Sequence, residues 1–215
     1  MKKVTTAVWT IILLTLAASQ VKAQEPNASL TEAYKTFTAA TTMGGWMTAN
    51  NKFSLIATKW PNQWTANYYA AYSNAYISTK ETDPKRKDQL LDIADNYIAK
   101  MNNLASDKDE SLVLTAYVAY ARFLVDPRNR WQKYLGLMNT NLEKAKKVNP
   151  NNPRIYYLEG VPEFNKPKLY GGGKDVAKPY FEKAKALFAT QQSTDITKPY
   201  WGEKENAKYL ELCNE

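Results

Sequence analysis

The sequence predicts an all-α fold, a row of antiparallel helix hairpins, and three observations carry that expectation. Apolar residues recur at three- and four-residue spacing through most of the chain, the helical stretches are separated by short polar breaks, and they come in recurring pairs. With 215 residues, 44% of them apolar and 13% aromatic, the chain can bury a proper core.

Residues 1–23, "MKKVTTAVWTIILLTLAASQVKA", place Lys2 and Lys3 ahead of an apolar run from Val8 to Ala18 and end on Val21 and Ala23 at signal-peptidase spacing. That is the pattern of a secretory signal peptide. Its apolar run falls short of the ~20 residues needed to cross a bilayer. The expectation is an exported, periplasmic protein, soluble after cleavage and without stable membrane insertion. The cleavage region has no cysteine to accept a lipid, so a lipoprotein is not expected. Residues 24–61 read as an N-terminal helical cap, one or two helices over 28–58 interrupted at "MGGWM".

The hairpins occupy 62–191. Over 62–79, Trp64, Tyr68, Tyr72 and Tyr76 lie four apart with Ala66, Ala70, Ala71 and Ala75 between them, which predicts an amphipathic helix able to approach its neighbours closely. A turn at Asp83-Pro84 leads into a helix carrying Leu90, Leu91, Ala94, Ile98 and Met101. The second pair is 110–125 and 131–148, broken by "DPRNR" and closed by "NPNNP". The third runs over 153–165, through the loop "KPKLYGGGK", into 175–191. Residues 192–215 supply a C-terminal capping helix.

Composition then limits the chemistry. There is no histidine, which excludes His-based triads, His-ligated zinc and imidazole acid/base catalysis. The only cysteine, Cys213, cannot close an internal disulfide. No cofactor and no metal site are expected. The formal charge of the full chain is +8, and loss of Lys2, Lys3 and Lys22 with the leader leaves about +5. Lysines alternate with acids as on solvated helix faces, and arginine is confined to 86, 122, 128, 130 and 154, so nucleic-acid binding is not expected. Paired carboxylates exist at Glu159 and Glu163 and at Asp92 and Asp95. Without a histidine or a metal-ligand cluster beside them, no enzyme is expected, and a helical enzyme using these pairs is the last of three alternatives.

The packing positions match a known pattern. Ala177, Phe181 and Ala184 place a small, a bulky and a small residue at spacings of four and three; Leu142, Ala145 and Pro150 repeat it behind Met138, which departs from the small residue; Ala94 and Ile98 repeat it more weakly. Tyr156 with Gly160 and Leu112 with Ala116 place a bulky residue four before a small one. In these respects the chain resembles the tetratricopeptide-repeat family. The resemblance implies a right-handed superhelical array of about three repeats plus flanking helices, in which the first helices of successive hairpins line a concave groove. Carried onto this sequence, it places Tyr68, Tyr72 and Tyr76, then Val113, Tyr117 and Tyr120, then Arg154, Tyr157, Phe164 and Asn165 toward the groove. The implied function is non-catalytic, an adaptor or scaffold taking a protein or peptide partner in the cell envelope. The alternative is a solute-binding helper of an envelope transport system; oligomeric state does not follow from the sequence.

Gly171, Gly172 and Gly173 interrupt the third hairpin. A P-loop would need Ser or Thr after Lys174 and glycine at 168, where this chain has Asp175 and Lys168. The expectation is a corner rather than an anion site.

Overall fold

The computed structural model describes residues 25–104, 108–191 and 195–215. The signal-peptide segment 1–23 lies outside the described residues. Among those described, the chain is all helical: α1 Glu25–Ala39, α2 Met43–Lys59, α3 Trp64–Lys80, α4 Pro84–Asn102, α5 Lys108–Phe123, α6 Pro127–Val148, α7 Pro153–Asn165, a 3-10 turn at Lys168–Tyr170, α8 Lys174–Phe188 and α9 Glu203–Asn214.

Three helices start by one device. Asp83, Asp126 and Asn152 each precede a proline at the first helical position, and each side chain accepts from a backbone N–H of the first turn. Proline is favoured there because it has no N–H to leave unsatisfied. The break expected at "MGGWM" falls earlier. Thr42 caps α2 by accepting from the Gly45 N–H, so both glycines lie inside the first turn.

Hairpins α3–α4, α5–α6 and α7–α8 each pack tightly on themselves, and α3 lies against α5, which also touches α7. The expected packing residues mark these seams. Ala94, Ala116, Leu142, Ala145, Ala177, Phe181 and Ala184 are essentially solvent-free, and Ile98 and Tyr156 are buried. Leu112 is only partly buried, and Pro150 is exposed but gives its carbonyl to the Tyr156 hydroxyl at 2.8 Å. One expectation fails: α3 is not amphipathic but buried on nearly every side, from Trp64 through Ala75. Several of its buried polar side chains are paired within the helix or with α2, although Trp64 Nε1 and Asn67 Oδ1 have no partner. Ser73 donates to Asn50 of α2 at 2.6 Å, the Asn50 amide donates to Asn74 at 3.3 Å, and the Asn74 amide donates to the Ala70 carbonyl one turn back at 2.8 Å. 

The glycines of the third hairpin turn a corner. Gly171 and Gly173 have φ of +75° and +111°, and a Cβ on Gly172 would lie 2.4 Å from the Lys166 carbonyl oxygen. Their amides donate to Lys168, Pro167 and Glu163 carbonyls, which leaves none pointing outward for an anion.

Two other glycines give opposite expectations. A Cβ on Gly160 would sit 2.6 Å from the Phe181 ring, whereas Gly136, exposed in mid-α6, meets nothing within 4 Å. Gly160→Ala should destabilise the fold by about 1–3 kcal/mol through overpacking. Gly136→Ala should stabilise it by about 0.5–1 kcal/mol through helix propensity. Urea unfolding of the two variants checks both signs.

Candidate binding groove

The groove begins with a buried pair of charges. Glu110 stands in the first turn of α5 and Arg154 in the first turn of α7; the Arg154 side chain is 1% exposed and that of Glu110 7%. Arg154 Nε lies 3.1 Å from both carboxylate oxygens, and Nη2 donates to Oε1. The geometry is that of a charge-assisted ion pair. Burial raises the Glu110 carboxyl against the opposing pull of Arg154. Burial, the largest single influence, would lower Arg154, but the Glu110 charge and hydrogen bond together with Tyr68 and Tyr69 hold the guanidinium above its usual range.

The pair reaches a third chain segment. Tyr68 donates to Glu110 at 3.2 Å, the Trp201 indole N–H donates to the Tyr68 hydroxyl at 2.7 Å, and Arg154 Nη1 donates to the Trp201 carbonyl at 3.4 Å. Asn152 adds donors to Glu110 at 2.7 Å and Asp109 at 3.0 Å. Trp201, on the irregular strap ahead of α9, is thus fixed at both its ring and its backbone. Gly202 after it has φ of +98°, and a Cβ there would crowd Phe188.

Trp201 then organises the aromatic wall. Tyr72 stacks on it at 4.8 Å between centroids, Tyr117 lies at 5.3 Å and Tyr157 meets it edge-on at 6.4 Å. Farther along, Tyr209 of α9 stacks on Phe181 and meets Phe164 edge-on. Together Tyr72, Tyr76, Tyr117, Tyr120, Tyr157, Phe164, Trp201 and Tyr209 line a groove of about 480 Å³, with Asn165, Leu124, Val161, Leu212, Thr79 and Glu205 between them and Lys80 and Lys208 exposed at its rim. A second hollow of about 340 Å³ lies on the other side of Tyr72, Tyr76, Trp201 and Glu205, against Tyr34, Phe37 and Trp46 of α1 and α2. Burial raises the phenols of Tyr72, Tyr117 and Tyr157 well above the usual range, so the groove presents neutral rings at physiological pH.

Seven of the ten residues expected at the groove line it: Tyr72, Tyr76, Tyr117, Tyr120, Tyr157, Phe164 and Asn165. Tyr68, Val113 and Arg154 do not; all three are buried beneath it. For Arg154 the reason is Glu110, which supplies the charge and acceptors that let a guanidinium leave water. Trp201, Tyr209, Lys80 and Lys208 were absent from the expectation. The run "PYWG" in an otherwise polar linker was the available signal for Trp201.

The carboxylate pairs are engaged in ion pairs. Asp92 and Asp95 both accept from Arg122 Nη2, at 2.7 and 2.6 Å; Glu159 pairs with Lys146 at 2.6 Å and Glu163 with Lys166. No group of three or more potential metal-ligating side chains is found among the described residues.

Glu110→Gln leaves Arg154 charged and buried and should cost about 3–5 kcal/mol. Replacing both, Glu110→Leu with Arg154→Leu, should cost clearly less than the sum of the two single changes. Denaturant unfolding of the four proteins measures the coupling.

No protein-family model matches the chain, and no curated protein matches it either. Among solved structures it is similar to the HusA haemophore from Porphyromonas gingivalis, with a TM-score of 0.77 and 30% sequence identity over 90% of this chain and 95% of that one. With that identity across nearly the whole of both chains, the protein belongs to the same family as the HusA haemophore.

Proposed function

We propose that this protein is an exported, non-catalytic carrier whose ligand is haem or a closely related porphyrin, held in the tyrosine-lined groove. The observation that carries the reading is the groove itself, eight aromatic side chains around about 480 Å³, within the range of about 300–1,000 Å³ usual for small-molecule sites. A porphyrin is a flat aromatic ring with two carboxylates at one edge. Tyr and Trp faces and edges suit the ring, since offset and edge-on contacts are the favoured aromatic arrangements. Lys80 and Lys208 at the rim suit the carboxylates. The likeness to a haemophore supports the same class of ligand.

With no histidine in the chain, the groove's side chains that could reach a bound iron are its phenols, the Glu205 carboxylate and the rim lysines. The Tyr72, Tyr117 and Tyr157 phenols resist ionisation, because burial raises them. With eight aromatic side chains around the groove, most of the affinity should come from ring contact. This reading lies closer to the solute-binding alternative drawn from the sequence than to a peptide adaptor, whose partner would use the same residues.

Titration of the protein with haem should give a saturable change in the haem absorption band. Tyr76→Ala, which removes a half-buried ring from the wall, should weaken binding about tenfold, roughly 1.4 kcal/mol. Tyr117→Phe, which keeps the ring, should stay within about threefold of the parent. A titration without saturable change overturns the carrier reading and returns the groove to a peptide partner.

A further inference from the structure

The corner loop between α7 and α8 does something its turning role does not require. Leu169 is 87% exposed and Tyr170 72% exposed, adjacent at the loop's tip, in a chain whose large apolar side chains are otherwise mostly packed. They are also presented rigidly. Tyr170, Gly171, Gly172 and Gly173 all donate backbone hydrogen bonds back into the loop or to the end of α7, at 2.8 to 3.3 Å. A rigid loop holds these side chains in water, where a flexible one could fold them away.

Lysines flank the tip in sequence on both sides. Lys166 and Lys168 precede it and Lys174 and Lys178 follow it; of these, Lys166 pairs with Glu163, and Lys168 lies 3.5 Å from Asp175 with both side chains largely exposed. Two exposed apolar side chains flanked by lysines match the interfacial zone of an anionic bilayer, where aromatic and aliphatic groups enter the headgroup region and lysines meet lipid charge. Such a surface needs no shape match. A protein partner would need an interface of about 1,000 Å² or more, far beyond what one loop tip offers. Among the described residues no helix is long and apolar enough to cross a membrane, so contact at this loop would be peripheral.

We propose that the Lys166–Lys174 loop is a docking tip for anionic lipid surfaces, with Leu169 and Tyr170 entering the headgroup layer. The tip stands beside the groove: Phe164 and Asn165, the last two residues of α7, line the groove, and the loop begins with the next residue. On the carrier reading above, which this part of the argument rests on, docking would bring the groove's end to the surface where an amphiphilic porphyrin partitions.

The purified protein should sediment with vesicles of two parts phosphatidylcholine to one part phosphatidylglycerol, and much less with phosphatidylcholine alone. The Leu169→Glu, Tyr170→Glu double variant changes only exposed side chains; it should lose the vesicle-bound fraction while keeping the circular dichroism and haem titration of the parent. Failure of the parent to sediment, or equal sedimentation of the variant, overturns the proposal. Self-association of the parent without vesicles, abolished in the variant, also overturns it by assigning the tip to a second copy. Vesicle binding without haem binding would leave docking standing and remove the carrier reading; haem binding without vesicle binding would do the reverse.

Discussion

Everything at the groove depends on one buried contact, the ion pair between Glu110 and Arg154. It joins the N-terminal turns of two helices from successive hairpins and holds, through Tyr68 and a backbone carbonyl, a tryptophan from a third segment. A hydrophobic pair at the same place could join the helices at least as strongly. It could not also donate to the Trp201 carbonyl or accept from Tyr68. The charges thus fix position more than they add stability, and what they position is the ring against which Tyr72 and Tyr117 lie.

That arrangement explains why a groove survives in so aromatic a protein. Rings left free to pack would fill the space between α3, α5, α7 and α9. Here Trp201 is tied from below, Tyr209 is stacked on Phe181, and the wall rings lean on these two anchors. The Asp88, Asp92 and Asp95 cluster around Arg122 and Arg130 does comparable work on the other side of the hairpins, joining α4, α5 and α6 at a more solvated site.

Much of this was legible in the sequence, because helix periodicity and small-residue spacing are local signals. The three hairpins and the seams at Ala94, Ala145, Gly160 and Ala177 follow from such signals, although "DPRNR", read as a break, supplies the first turn of α6 from Pro127, and the resemblance to tetratricopeptide repeats placed Tyr72, Tyr76, Tyr117, Tyr120 and Tyr157 on one surface. What stayed hidden is tertiary. The stripe from Tyr68 to Tyr76 has one spacing throughout, yet it passes from solvent-free core to half-open groove within two turns, and nothing in the spacing marks the crossing. Arg154 reads as a surface residue until Glu110, 44 positions away, is found against it. Trp201 lies on a strap without periodicity, so only contacts made after folding reveal its place. The ligand class was hidden for a different reason: a wall of tyrosines serves a peptide as well as a flat ring.

The measurement that tests this account most directly is a crystal structure of the protein grown with haem. The account predicts the macrocycle in the groove, its face against the rings of Tyr72, Tyr117, Tyr157 and Trp201 and its carboxylates toward Lys80 and Lys208. A haem bound elsewhere, or a groove closed by collapse of Trp201 away from Tyr68, would contradict it.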